Sequence, residues 1–327
     1  MKRRAFVTGA TGFLGRHVVE QLSKDGWAVT VFHRAGSQTA QLQRYGARLV
    51  TGRLDDRASI AAALETEVDA VFHVAGNTSF WAGDSEQQYR DNVEGTRNVV
   101  AAALEQRARC MVHTSSESVW GQPEAQPIEE ASPKHGGQSW IGYERTKYLA
   151  EEEVRAGIQR GLRAVFINPA HIMGRYDERS WGRSFALVKD GKLPGVPPGR
   201  ASWCSAEEVA KAHVIAVDRG GTGENYLLGG HDASYLEVFQ GIARLVGAPL
   251  PKRAIPGWAL KLYAGAADLG SRLTKKAPEV TPELAHVLAD DRTVRSDKAI
   301  RELGFRAVPV QALLEECFDW LRSEGRL

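Results

Sequence analysis

The chain has 327 residues, 43% hydrophobic and 25% charged, with a formal net charge of +2. That length can hold one large α/β domain or two intimate ones, and the near-neutral charge gives no electrostatic case for nucleic acid or a membrane surface as partner. Cys110, Cys204 and Cys317 have no CxxC spacing and the nine histidines are dispersed, so neither a disulfide framework nor a metal site is expected, and a reducing cytoplasm fits.

The first strand is expected at residues 5–8, too early to leave room for a signal peptide. Thr8-Gly9-Ala10-Thr11-Gly12-Phe13-Leu14-Gly15 follows it and leads into a helix over 14–25. Gly9 allows a tight turn, Gly12 lets backbone N–H groups approach a pyrophosphate, and Gly15 permits close helix–strand packing, with the helix N-terminus facing the phosphates. A second strand over 28–32 ends in His33-Arg34, and no acid occurs between Asp25 and Asp55. NAD enzymes usually place an acid there for the ribose hydroxyls. Arg34 can instead pair with a 2′-phosphate, with Ser37 as a further donor. NADP(H) is therefore favoured and NAD(H) is the alternative; the plainer reading is a surface arginine.

Further strands are expected at 48–51, 70–74, 109–114 and 164–167, alternating with helical stretches such as 93–105. This rhythm predicts an α/β fold, a Rossmann-type doubly wound parallel sheet with ligands at the strands' carboxyl ends. The strand over 109–114 runs into Ser115 and Ser116, whose hydroxyls can bond a substrate oxygen or simply end the strand. A Pro-, Gly- and Gln-rich loop over 121–139 precedes Tyr143-Glu144-Arg145-Thr146-Lys147. Four positions apart, Tyr143 and Lys147 share a helix face, as they would on any amphipathic helix. A phenol with pKa near 10 is a poor acid at neutral pH, and a nearby ammonium lowers that value.

Residues 175–200, rich in Gly and Pro, are expected to leave the sheet layer. Trp258 to Leu273 is apolar but interrupted by Lys261, Asp268 and Arg272, so it does not read as a membrane span. Leu313, Leu314, Cys317, Phe318 and Leu321 suggest one face of a helix. The simplest division gives a dinucleotide-binding domain from 1–174 with 201–232, and a smaller, mainly helical substrate domain from 175–200 with 233–327.

Taken in order, these segments resemble the extended short-chain dehydrogenases/reductases, the NAD(P)-dependent epimerase/dehydratase superfamily. The pattern is most like its dihydroflavonol-4-reductase-like and bacterial sugar epimerase-like members. The resemblance rests on the glycine turn, Gly52-Arg53-Leu54-Asp55, His73-Val74-Ala75-Gly76, the segment Asn92 to Asn98, Thr114 to Gly121, Tyr143 to Lys147, Asn168 to Gly174, and Ser296 to Phe305. It implies a catalytic triad of Ser116, Tyr143 and Lys147, Val119 and Gly121 aligning Ser116 rather than Ser115. It also implies cofactor contacts from Gly9, Thr11, Gly12, Phe13, Leu14, Leu54, Val74, Ala75, Gly76 and Thr114, from Asp55 to adenine, and from Asn168, Pro169 and Ile172 near the nicotinamide. Asn92 would organise its helix and a proton path, or merely cap and pack.

Three functions follow. Sugar dehydratases of the family carry Thr-Asp-Glu where this chain has Ser116-Glu117-Ser118, so elimination machinery looks incomplete. Epimerases usually retain NAD tightly, whereas Arg34 suits an exchangeable NADPH. The intact triad argues against a non-enzymatic sensor. An NADPH-dependent reductase of a small-molecule ketone or aldehyde is the first reading, nucleotide-sugar epimerase/dehydratase the second. Phe80, Trp81, Glu117, Trp140, Trp181 and Trp203 are candidate substrate contacts, lining an apolar or ring-stacking wall, although most tryptophans are packing residues. Trp120 stands where the family commonly has Tyr. A homodimer through helices of the dinucleotide-binding domain is the family expectation.

Overall fold

A computed structural model describes the whole chain except residues 1, 123, 125 and 275 and the side chains of 272 and 273. Its strands are β1 Arg4–Thr8, β2 Ala28–His33, β3 Arg48–Thr51, β4 Ala70–His73, β5 Met111–Thr114, β6 Ala164–Pro169, β7 His171–Met173, β8 Arg200–Ser205, β9 Asn225–Leu228, β10 His231–Ser234 and β11 Asp291–Arg292. Seven of them form a parallel sheet in the order β3-β2-β1-β4-β5-β6-β9. The order reverses direction between β1 and β4, and such a switch point opens a crevice at the strands' carboxyl ends.

Side-chain alternation builds a core on each face of this sheet. On β1, Ala5 and Val7 join one buried cluster and Phe6 the other; on β6, Val165 and Ile167 oppose Ala164 and Phe166. Strands covered on both faces read as unbroken apolar runs, which is why six of the seven were visible in the sequence. Helices Phe13–Lys24 and Ala206–Arg219 pack together on one side, Gly95–Glu105 and Gly142–Gln159 on the other.

The smaller sheet was not foreseen. β8 is its centre, antiparallel to β10 and parallel to β7 and β11. The segment 201–232 therefore divides: β8 lies in the small sheet, while the helix Ala206–Arg219 and β9 serve the large one. A further core gathers Trp203, Tyr235, Phe239, Leu288, Leu313, Leu314, Cys317, Trp320 and Leu321 between the small sheet and the C-terminal helices, with Phe318 packed against it. Among the described residues, no helix is long and apolar enough to cross a membrane.

Candidate active site

Gly9 has φ +75°, and a Cβ there would lie 2.4 Å from the Ala75 backbone nitrogen, so the turn after β1 closes against the end of β4 only with glycine. Gly12 is the N-cap of the helix Phe13–Lys24 and offers no side-chain cap. A Cβ on Gly12 would meet only the Gly9 carbonyl, at 3.2 Å. The helix thus presents first-turn N–H groups that lack intrahelical partners at an open cradle, a donor set suited to a pyrophosphate. The residues present fit a dinucleotide.

This cradle is one end of a cleft of about 1790 Å³. Of the expected cofactor contacts, Gly9, Thr11, Gly12, Phe13, Leu14, Arg34, Leu54, Asp55, Val74, Ala75, Gly76, Thr114, Tyr143, Lys147, Pro169 and Ile172 line it, with Ser116 and, of the substrate candidates, Phe80, Glu117 and Trp181. Arg34 is exposed on the rim. Asp55 is held by Arg53, whose Nε donates to it at 2.8 Å.

Four expected contacts are not on the wall. Asn168 is fully buried, its amide donating to the Ser116 carbonyl at 3.1 Å and to Glu151 at 2.8 Å. Trp203 is fully buried behind Trp181, ring centroids 4.6 Å apart, because β8 carries it into the small sheet's core. Trp140 is exposed and meets the edge of His286. Trp81 packs over Gly83, where a Cβ would come within 2.5 Å of its ring. Trp120 is likewise buried.

β5 and the helix Gly142–Gln159 bring Ser116, Tyr143 and Lys147 together. Ser115 donates to Glu151 at 2.7 Å, whereas Ser116 Oγ accepts from the Ser118 N–H at 3.1 Å, capping the short helix Glu117–Trp120, and lines the cleft with Tyr143. Both serines border the cleft, and Ser115 is tied by its hydroxyl to the buried Glu151. Burial pushes the Tyr143 phenol up to about 12; its bond to Ser116 opposes the rise and Glu117 adds to it. The expected pull of an ammonium on the phenol is not what governs it. Lys147 instead donates to the Thr114 carbonyl at 2.7 Å, and burial lowers its own pKa to about 8, opposed by Glu151. At neutral pH Tyr143 therefore keeps its proton and can give it to an oxygen reaching the Ser116–Tyr143 pair. The Phe80 ring covers Tyr143, centroids 5.1 Å apart.

Asn92 sits in a π-helical turn, Arg90–Glu94, of a kind frequent near functional sites. Its amide is consumed by structure: Oδ1 accepts from the Asn77 N–H at 2.6 Å, and Nδ2 donates to the Asn77 carbonyl and to Thr146. His171 is neutral, lowered to about 4 by burial and by Arg292, and bonded to the Tyr235 hydroxyl at 2.8 Å.

Two groups escaped the sequence reading. Glu151 accepts from Ser115, Asn168, Asn225 and Lys134, and binds the carboxyl ends of β5 and β6 to the helix carrying Tyr143. It lies four residues beyond Lys147, so the helical period that pairs Tyr143 with Lys147 also pointed to it. Arg292 gave no such signal. Fully buried on β11, it forms an ion pair with Glu144 at 2.6 Å and faces the buried Glu117, whose carboxyl is raised by burial against the pull of Arg292. After Arg175 the cleft wall combines an apolar stretch, Leu187, Leu193, Phe239, Ile255, Leu260, Val280, Leu284 and Leu288, with a charged one formed by Asp177, Glu178, Arg179, Arg183 and Glu279.

A family model described as the NAD dependent epimerase/dehydratase family matches residues 5–229. The chain belongs to that family. This family member is 32% identical to sterol demethylase protein B of Methylococcus capsulatus, over 98% of this chain and 99% of the relative. It is 30% identical to 4-hydroxy-2-methyl-3-oxo-4-farnesyl-3,4-dihydroquinoline-1-oxide ketoreductase of Stigmatella aurantiaca, over 98% and 96%. The crystal structure of gox2253 superposes with a TM-score of 0.85 at 30% identity and full coverage of both chains. Like its family, the chain is an NAD(P)-dependent enzyme with a Rossmann-type sheet.

Proposed function

We propose that this enzyme reduces a hydrophobic ketone or aldehyde with NADPH. The observation that carries the reading is that Tyr143 and Ser116 open onto the same cleft as the apolar stretch running from Leu187 to Leu288. The glycine turn, Arg34, Leu54, Asp55 and Val74 to Gly76 would hold the dinucleotide. When bound, that cofactor supplies the hydride that reaches the carbonyl carbon. Tyr143 donates its proton to the carbonyl oxygen and Ser116 hydrogen-bonds the same oxygen as negative charge builds on it. Lys147, one turn along the helix, holds a positive charge near the phenolate that results. Residues from Leu187 to Leu288 exclude water around the apolar part of the substrate.

Support also comes from the relatives: one is named as the ketoreductase of a farnesyl-bearing ketone and another for a sterol. The NADPH preference rests on Arg34 standing at the end of β2, where no acid is available to the ribose. The test is oxidation of NADPH and NADH by purified, nucleotide-stripped protein with a series of apolar ketones and aldehydes. Tyr143→Phe should abolish turnover and leave nucleotide binding nearly intact; undiminished turnover removes Tyr143 from the chemistry. Purified protein carrying stoichiometric, non-dissociating NAD would replace this reading with a nucleotide-sugar epimerase or dehydratase.

A further inference from the structure

The helix Gly257–Thr274 is apolar on two opposite faces, and the fold covers only one of them. Leu260, Ala264 and Ser271 are buried against the body of the protein, and Ala259, Leu260 and Tyr263 line the substrate cleft. On the other side Trp258, Leu262 and Leu269 are 72%, 69% and 66% exposed. At about 100° per residue these three lie within roughly 40° of one another around the helix, so they form one stripe. A surface helix normally gives its outer face to polar residues, and a row of large apolar side chains there marks a contact surface.

Charge identifies the contact. Between Leu250 and Lys276 the sequence holds six basic residues, Lys252, Arg253, Lys261, Arg272, Lys275 and Lys276, against the single acid Asp268. The net charge of the whole chain, +2, averages this concentration away. Lys252, Arg253, Lys261 and Lys276 are exposed. An apolar stripe carrying a tryptophan and set among cations is the pattern of a helix lying in the interface of an anionic bilayer. A second copy of the chain is disfavoured by the same cations, because a twofold contact along this helix would set like charges against each other.

We propose that the helix Gly257–Thr274 docks on an anionic lipid surface, with Trp258, Leu262 and Leu269 entering the interface and Lys252, Arg253, Lys261 and Lys276 meeting lipid headgroups. The helix does not span the bilayer; it lies along it and forms, with its inner face, one wall of the cleft. If the proposed reductase reading holds, an apolar carbonyl compound dissolved in the membrane would have a short path to Tyr143. The docking itself does not depend on that reading.

The experiment is co-sedimentation of the purified full chain with vesicles of phosphatidylcholine alone and with vesicles also containing phosphatidylglycerol. Wild type should sediment with the anionic vesicles, be released by high salt, and stay in solution with the neutral ones. The triple substitution Trp258→Ser, Leu262→Ser, Leu269→Ser should weaken the partition on the order of tenfold or more. A second variant, Lys252→Glu, Arg253→Glu, Lys261→Glu, should do the same without altering an apolar side chain. Unchanged thermal unfolding and circular dichroism of either variant certify its fold, and one folded variant suffices. No sedimentation of wild type with anionic vesicles overturns the proposal, as does undiminished binding by a folded variant. A wild-type dimer in light scattering that the serine variant dissolves, without vesicle binding, would give this face to a second copy instead.

Discussion

Lys147→Met should separate stability from catalysis. Burial brings the Lys147 pKa from its ordinary 10.5 to about 8. At about 1.4 kcal/mol per pH unit, holding that ammonium inside the folded protein costs roughly 3 kcal/mol below pH 8. Methionine removes this cost but leaves the Thr114 carbonyl, 2.7 Å from Nζ, without its donor, a loss of about 1–3 kcal/mol. Near pH 7 the variant should therefore be as stable as wild type or up to about 2 kcal/mol more stable, with turnover abolished. The sign reverses in alkali. The unfolded chain keeps the Lys147 proton up to its ordinary pKa while the folded chain sheds it near 8, so wild-type stability rises with pH across that window. Denaturant unfolding followed by tryptophan fluorescence should show the difference between wild type and variant moving by roughly 2–3 kcal/mol in favour of wild type between about pH 7 and 10. A difference that stays flat to within about 0.5 kcal/mol would refute the argument that Lys147 is buried as a cation.

Ser116→Ala should lower turnover by about two orders of magnitude and cost about 1 kcal/mol of stability, since its oxygen caps the helix Glu117–Trp120 as well as bordering the cleft. Ser115→Ala should cost about 1–2 kcal/mol by withdrawing a donor from Glu151 and spare turnover; a loss of turnover in Ser115→Ala but not in Ser116→Ala would move the role to Ser115. Arg292→Met strands the buried Glu144 and should destabilise the protein by about 3–5 kcal/mol, and a denaturant midpoint close to wild type would contradict that. Arg34→Ala should weaken NADPH binding by about tenfold or more and spare NADH, as read by titration; equal losses for both would make Arg34 an ordinary rim residue.

The large sheet and the cradle were legible because their signals are local. Parallel strands buried on both faces read as apolar runs, a glycine turn sits between a strand and a helix, and Tyr143 and Lys147 lie one helical turn apart. β9 was missed although Tyr226, Leu227 and Leu228 form such a run, buried on both faces. The small sheet was illegible for a different reason: β7 and β11 have only three and two residues, and β8 is defined by partners as far away as residue 292. The tryptophans show the limit of residue type as a guide. Trp181 reached the cleft, Trp203 went into the core behind it and Trp140 faces outward, since side-chain direction was not readable from their segments. Arg292 and Glu144 meet across nearly half the chain, and no periodicity announces them.

The start of the helix bearing Tyr143 is seated by the C-terminal third of the chain. Glu283 accepts from the Gly142 N–H at 3.1 Å, Arg292 pairs with Glu144, and Thr281 donates to the carbonyl of Phe80, whose ring covers the phenol. Every strand of the seven-stranded sheet, by contrast, ends by Leu228. A chimaera that exchanged the downstream segment to acquire a new pocket would keep an intact cradle and still misseat its acid, unless the graft carried equivalents of Thr281, Glu283 and Arg292. Pocket shape and proton delivery are inherited here as one piece.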